Sequence, residues 1–109
     1  MTMVHKLLGR SKPAAATPTS VYSPAVGVST IVSSIIVCNV SAVTDKFRIY
    51  NVPAAGAENV NNAIYYDIEV QPGDSFLANV TTVIQPQGFI SVEATGGNLT
   101  FTLSGLDVP

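Results

Sequence analysis

The residues able to carry chemistry are few in this chain of 109 amino acids, and they lie far apart. There is one histidine, His5, and one cysteine, Cys38. Nucleophilic catalysis by Ser or Cys needs a base within hydrogen-bond reach, held in orientation by a third group. His5 sits in a basic N-terminal stretch, remote in sequence from any strand end that could hold it, and Cys38 has no histidine near it. Asp67 and Glu69 share one face of a strand-like run, the minimum for a two-carboxylate mechanism, but residues at i and i+2 on an open strand form an ordinary solvated surface. No His, Cys or carboxylate cluster has metal-ligand spacing, and loop oxygens are too sparse for calcium. Gly96-Gly97 lacks the lysine and the following helix of a phosphate loop. The expectation is a protein that is not an enzyme, with no cofactor, no metal and no small-molecule substrate.

What remains is architecture. Hydrophobic residues make up 47% of the chain and charged residues only 11%, about half the usual share for a soluble domain. Val, Ile and Thr number 15, 8 and 10, so 33 of 109 residues are β-branched and suit a pleated surface. Alanines cluster beside Pro or Gly, at Ala14 to Ala16 and at Ala54, Ala55 and Ala57, which disfavours helix. Cys38 is alone in the most apolar run, so it reads as a small buried hydrophobe rather than half of a disulfide or a reactive thiol. Leu7-Leu8 is too short for a secretory signal, and Ile35 to Cys38 is too short to span a membrane. The sequons at Asn39, Asn79 and Asn98 are therefore read as chance in an Asn/Ser/Thr-rich chain.

The chain divides at residue 18. Residues 1–18 read as an extended arm ending in the linker Pro13 to Pro18, and residues 19–109 as one domain. In the body, Val21-Tyr22 is a brief strand. Val28 to Val40 is a long strand with a bend or bulge at Ser33-Ser34. Phe47 and Ile49 alternate with polar neighbours, as do Ile64, Tyr66, Ile68 and Val70. Turns are marked by Gln71-Pro72-Gly73-Asp74, Gln85-Pro86-Gln87-Gly88 and Gly96-Gly97-Asn98. The expected fold is all-β: one antiparallel β-sandwich, jelly-roll or Ig-like, of seven to eight short strands with an extended N-terminal arm. Its expected core is Phe47, Ile49, Ile64, Tyr66, Ile68, Phe76, Val92, Leu99, Phe101 and Leu103, which share one parity.

Charge and aromatic placement point to an assembly. Residues 1–12 carry Lys6, Arg10 and Lys12 without an acid, while residues 13–109 carry two basic against seven acidic residues, a net of 2 − 7 = −5. Three charges over seven residues are thin for nucleic acid, so nucleic acid is the weaker partner and an acidic protein surface the stronger. Lys6, Leu7, Leu8, Arg10 and Lys12 are the candidate partner-binding residues of the arm. Isolated, the arm is expected to be disordered. Tyr50, Tyr65 and Phe89 fall by alternation opposite the core and form a candidate docking face. Two basic residues in the whole body leave the sheet edges poorly guarded, which predicts edges covered by another subunit and a homo-oligomer.

Several segments together resemble a family. They are Val21-Tyr22-Ser23-Pro24, Ile31 to Asn39, Phe47-Arg48-Ile49, Ala63 to Asp67, the Pro-Gly-Asp turn, Ile90 to Ala94 and Leu99 to Gly105. With Lys6-Leu7-Leu8-Gly9 before them, they resemble small β-sandwich virion structural proteins of tailed bacteriophages, the cyanophage type in particular, over roughly residues 6–106. The resemblance implies a virion location and a capsid decoration (cement) protein bound to major capsid or tail structural proteins. It also implies a trimeric homo-oligomer and supplies no catalytic residue. A tail, neck or baseplate accessory protein is the alternative within that class. In another class stands a carbohydrate- or receptor-binding module, with Tyr50, Tyr65 and Tyr66 stacking on sugar and Asp67 accepting from a hydroxyl.

Overall fold

The computed structural model describes residues 5–109. They form nine strands: β1 (Lys6–Ser11), β2 (Thr19–Tyr22), β3 (Ser29–Asn39), β4 (Asp45–Val52), β5 (Ala63–Val70), β6 (Ser75–Ala78), β7 (Thr82–Ile84), β8 (Phe89–Ala94) and β9 (Leu99–Val108). One single-turn 3-10 segment, Val60–Asn62, precedes β5. Two antiparallel sheets pack face to face. The larger has the order β1-β9-β3-β6, with β7 also on β3, and the smaller the order β2-β8-β4-β5.

Strands β6 and β7 lie end to end on the same side of β3, from Cys38↔Ser75 to Ile35↔Ala78 and from Val32↔Thr82 to Thr30↔Ile84. They are two halves of one interrupted strand. Counted that way, eight strands wind between the sheets in the orders 1-8-3-6 and 2-7-4-5. This is a jelly-roll winding, and it selects between the two sandwich topologies expected from the sequence.

The inward faces meet in an aromatic cluster. Phe47 of β4 lies 6.0 Å from Phe101 of β9 and 5.4 Å from Phe76 of β6, and Tyr65 of β5 lies 5.5 Å from Phe76. Tilted and edge-on rings at these separations exploit the aromatic quadrupole. Phe47, Ile49, Val92, Leu99, Phe101 and Leu103 are fully buried, as expected, and Ile64, Ile68 and Phe76 are half-buried against them.

Tyr66 is the exception: it is 45% exposed, and Tyr65 takes the inward place. The cause is a bulge. From Ile49↔Tyr65 to Phe47↔Ile68 the chain advances two residues on β4 but three on β5. Asp67 sits there at φ 55°, a left-handed conformation that Asp tolerates better than most residues. The extra residue puts Tyr65 inward and Tyr66 outward, and a second register shift between Ile49↔Tyr65 and Tyr50↔Ala63 returns Ile64 to the core side.

The bulge expected at Ser33-Ser34 is present, as a register shift between Val32 and Ser34 against β9. Opposite it stands Gly105, where a Cβ would lie 2.1 Å from the Ile31 carbonyl oxygen. Only glycine fits that close an approach. Cys38 is half-buried on the outward side of β3, not in the core, because it alternates with the buried Val37 and Asn39.

Two buried polar side chains hold the strand connections. Asn39 donates to the carbonyls of Val43 and Val70 and accepts from the Ser41 backbone and hydroxyl. With 1% of its surface exposed, it offers no acceptor for glycosylation in the folded chain. The Asp45 carboxylate accepts from the backbone N–H groups of Gly96 and Asn98 at 2.8 and 3.0 Å and so pins the turn between β8 and β9. Among the described residues no buried side-chain polar atom lacks a partner, as native interiors require.

Replacing Phe101 with Ala removes the ring that joins the sheets and is expected to cost about 3–5 kcal/mol. Tyr66→Ala, one residue beyond the inward position, is expected to cost no more than about 1 kcal/mol. Urea unfolding of both variants checks the register of β5 directly.

Candidate interaction surface

The arm is extended, as expected, but much of it belongs to the sandwich. Residues 6–11 are β1, an edge strand paired with β9 from Lys6↔Gly105 to Ser11↔Phe101. Leu8 turns inward and is buried in the protein's own core, while Leu7 faces out and is 47% exposed. Gly9 lets β1 press against β2, since a Cβ there would lie 2.8 Å from the Val21 carbonyl oxygen. The linker then crosses the end of the sandwich: Ala15 bridges Ala94, the Ala16 N–H donates to the Ala94 carbonyl, and Lys12 Nζ donates to the Gly97 carbonyl at 3.0 Å. A freely disordered arm over residues 6–18 is thus corrected. Its backbone groups find partners within the same chain, and Leu8 closes the gap between the sheets at that edge. The remaining arm residues, 1–4, lie outside the described residues.

The three aromatics assigned to a docking face do not share one. Tyr65 points into the core. Tyr50 does face outward from β4, yet it is buried at 5% exposure. The 53–62 loop folds over it, with Glu58 accepting from Ser91, the cross-strand neighbour of Tyr50. Phe89 is half-buried on the same sheet. The ring left in solvent is Tyr66, and Arg48 lies over it at 4.1 Å from the ring centroid. Arg48 also grips Asp67 with Nε at 2.7 Å and a second nitrogen at 3.2 Å. This carboxylate raises the arginine's proton affinity, the Tyr50 hydroxyl adding to it, and the arginine in turn lowers the pKa of Asp67. The expected row of three stacking tyrosines is therefore absent, because the β5 bulge and the loop remove two of them.

Two polar constellations join residues that the sequence keeps far apart. In the first, Asp107 of β9 accepts from Tyr22 at 2.7 and 2.8 Å and from Thr30 at 2.7 Å, and pairs with Lys6 at 2.8 Å. Lys6, expected to reach a neighbour, is spent on this internal clamp between β1, β2, β3 and β9. The Lys6 hydrogen bond, followed by those from Thr30 and Tyr22, outweighs partial burial and holds Asp107 at a pKa of about 2. Partial burial, reinforced by the hydrogen bond to Asp107, pushes the Tyr22 phenol up.

The second constellation brings His5 to Ser33: the ring Nε2 meets the Ser33 hydroxyl. Ser33 in turn donates to the Ser104 carbonyl at 3.2 Å. The ring tautomer sets the direction of the His5–Ser33 bond, and among the described residues no carboxylate orients the imidazole. The pair sits at the β3 bulge and ties the chain before β1 to it.

The sheet edges carry their own protection. Strand β2 has four residues, β6 four and β7 three. Strand β5 is broken by bulges that project Asp67, and β1 carries a bulge between Leu7 and Gly9 and the charges of Lys6 and Arg10. Short, bulged and charged edges resist further pairing.

What lies open is a face. From the larger sheet, Thr100, Thr102 and Ser104 of β9 project outward beside Ile36 of β3, Leu77 of β6 and Val83 of β7, the last three 40%, 59% and 44% exposed. Leu7, Arg10 and Lys12 form its β1 margin. No acidic residue occupies an outward position on this sheet. Four strands at about 4.8 Å spacing and eleven residues at about 3.3 Å give roughly 19 by 36 Å, close to the ~800 Å² per partner of a standard protein interface.

Fold and face together define an all-β jelly-roll sandwich with one uncovered, acid-free sheet. No known protein family, curated protein or solved structure matches the chain.

Leu8→Ala is expected to cost about 2–5 kcal/mol, and trypsin to spare Arg10 in the native full-length chain. Rapid cleavage after Arg10 without unfolding would contradict a docked β1. Asp107 carries a pH signature. Its folded pKa lies below its ordinary value of 3.8, so its stabilisation is fully present above about pH 4 and is lost as pH falls towards 2. Asp107→Asn is expected to be about 1–2 kcal/mol less stable at pH 7, after allowance for solvent screening. The gap should close near pH 2, as thermal melts across that range would record.

Proposed function

We propose that the chain is a non-enzymatic structural protein of a virion, a capsid decoration protein that docks on assembled subunits through the outward face of its larger sheet. The single observation that carries the docking is that face: apolar at one side, hydroxyl-bearing in the middle and without an acid. Ile36 and Leu77 are cross-strand neighbours that form one exposed apolar patch, with Val83 exposed further along the same face, and contiguous exposed apolar area marks interaction sites. The capsid version rests on the resemblance of residues 6–106 to small phage virion proteins. The jelly roll is compatible with it, since viral capsid and lectin domains both use that fold. A tail or baseplate position would use the same face.

The glycan-binding alternative has less of a platform, with Tyr50 buried, Tyr65 half-buried against the core and one side of Tyr66 taken by Arg48. A homo-oligomer, trimeric by the resemblance, would have to be built from faces, because the edges are blunted.

Leu77→Lys places a charge in the centre of the apolar part at a side chain already mostly in solvent. It is expected to leave thermal stability within about 0.5 kcal/mol and to abolish co-sedimentation with phage particles produced without the native protein. Retained co-sedimentation would remove this face from the attachment. Gold labelling on intact virions distinguishes capsid from tail.

A further inference from the structure

The open face is not uniform, and its β1 margin has a chemistry of its own. Arg10, Ser11 and Lys12 stand beside Thr100 and Thr102 around a groove of about 430 Å³ that reaches down to Phe101. Lys12 donates one proton to the Gly97 carbonyl and keeps two more to offer. Arg10 makes no hydrogen bond or ion pair among the described residues, so its guanidinium fork is available to a planar oxyanion.

All seven acids of the chain are engaged or placed elsewhere. Asp45 pins the turn before β9 and Asp107 holds the inter-sheet clamp. Asp74 lies in the turn before β6, and Glu58, Asp67, Glu69 and Glu93 belong to the opposite side of the sandwich. Asp45 lies beneath the Lys12 end but is taken up by the turn's N–H groups, and a groove whose two cations make no ion pair among the described residues is complementary to an anionic ligand.

We propose that this groove receives an acidic, extended segment of the protein on which the chain docks. Its carboxylates would lie against Arg10 and Lys12 and its polar groups against the hydroxyls of Thr100 and Thr102. The inference rests on the docking reading above and names the chemistry of the partner at that face. Nucleic acid fits the groove less well. A single-stranded chain is held by a basic track interleaved with aromatic platforms, and no aromatic side chain projects from this face. Two cations neutralise few phosphates.

The test uses the full-length, 15N-labelled protein and acetylated octaglutamate as probe. At low salt the peptide is expected to shift the amide resonances of Ser11, Thr100 and Thr102. The shifts should vanish in about 0.5 M salt and in the variant Arg10→Gln/Lys12→Gln. Equal or tighter binding of octathymidylate, or octaglutamate shifts confined to other surfaces, would overturn the inference. On phage particles the double variant is expected to bind about tenfold more weakly at low salt. If the double variant binds as wild type while Leu77→Lys does not, the acidic segment is ruled out and the docking face stands. If both variants bind as wild type, both readings fall together.

Discussion

The architecture hangs on the position of β9 between β1 and β3. Ten residues of β3 pair with it, from Ser29↔Val108 to Asn39↔Leu99, and β1 pairs along its other side. Leu99, Phe101 and Leu103 supply much of the buried surface, and Asp107 supplies the anion of the inter-sheet clamp. Without β9, β1 has nothing to pair with and β3 loses one of its two neighbours. Every one of these contacts spans about sixty to a hundred residues of sequence, so the chain must close long loops before they are rewarded. Slow folding from high contact order is the physical consequence. The same constraint explains Gly105: a strand inserted between two others beside a bulge needs one position where backbone meets backbone without a side chain.

Alternation made the body legible where strands are regular. On β4 and β9, and on the inward side of β8, the residues that alternate in sequence are those buried in the structure. The bulge at Ser33 and the turn at Gly73, with φ 71°, were also readable, because each has a local chemical signature. Tyr65 and Tyr66 were not. Asp67 in a left-handed bulge leaves no mark on the hydrophobic pattern, and a single inserted residue exchanged the inward tyrosine for the outward one. Tyr50 failed for another reason. Its parity was right, but parity says nothing of a distant loop that folds over the face.

The arm shows how composition misleads when a strand is short. Lys6 to Ser11 has one inward apolar side chain, too little for a period to be visible. What orders it is main-chain pairing with β9, the Lys6–Asp107 bond and the close passage of Gly9 by Val21, none of which is local. His5 and Ser33 meet for the same reason, carried together by β1 and the β3 bulge.

Ordering the arm on its own sandwich changes where attachment energy must come from. Fixing an extended segment costs on the order of 1–2 kcal/mol per residue in backbone entropy. Here that cost is met during folding, so a partner need not supply it again. In the proposed docking, attachment would fall to a surface already ordered by the fold, which is the condition under which a modest interface binds well. The larger sheet provides such a surface, with its apolar rows fixed by β3 and β6 and its cations fixed along β1. The smaller sheet does not: its centre is roofed by the 53–62 loop, and Arg48 is already paired with Asp67. The two sheets therefore differ in kind: the outward groups of the smaller one are satisfied within the chain, while those of the larger one stay open, and the proposed docking uses that difference.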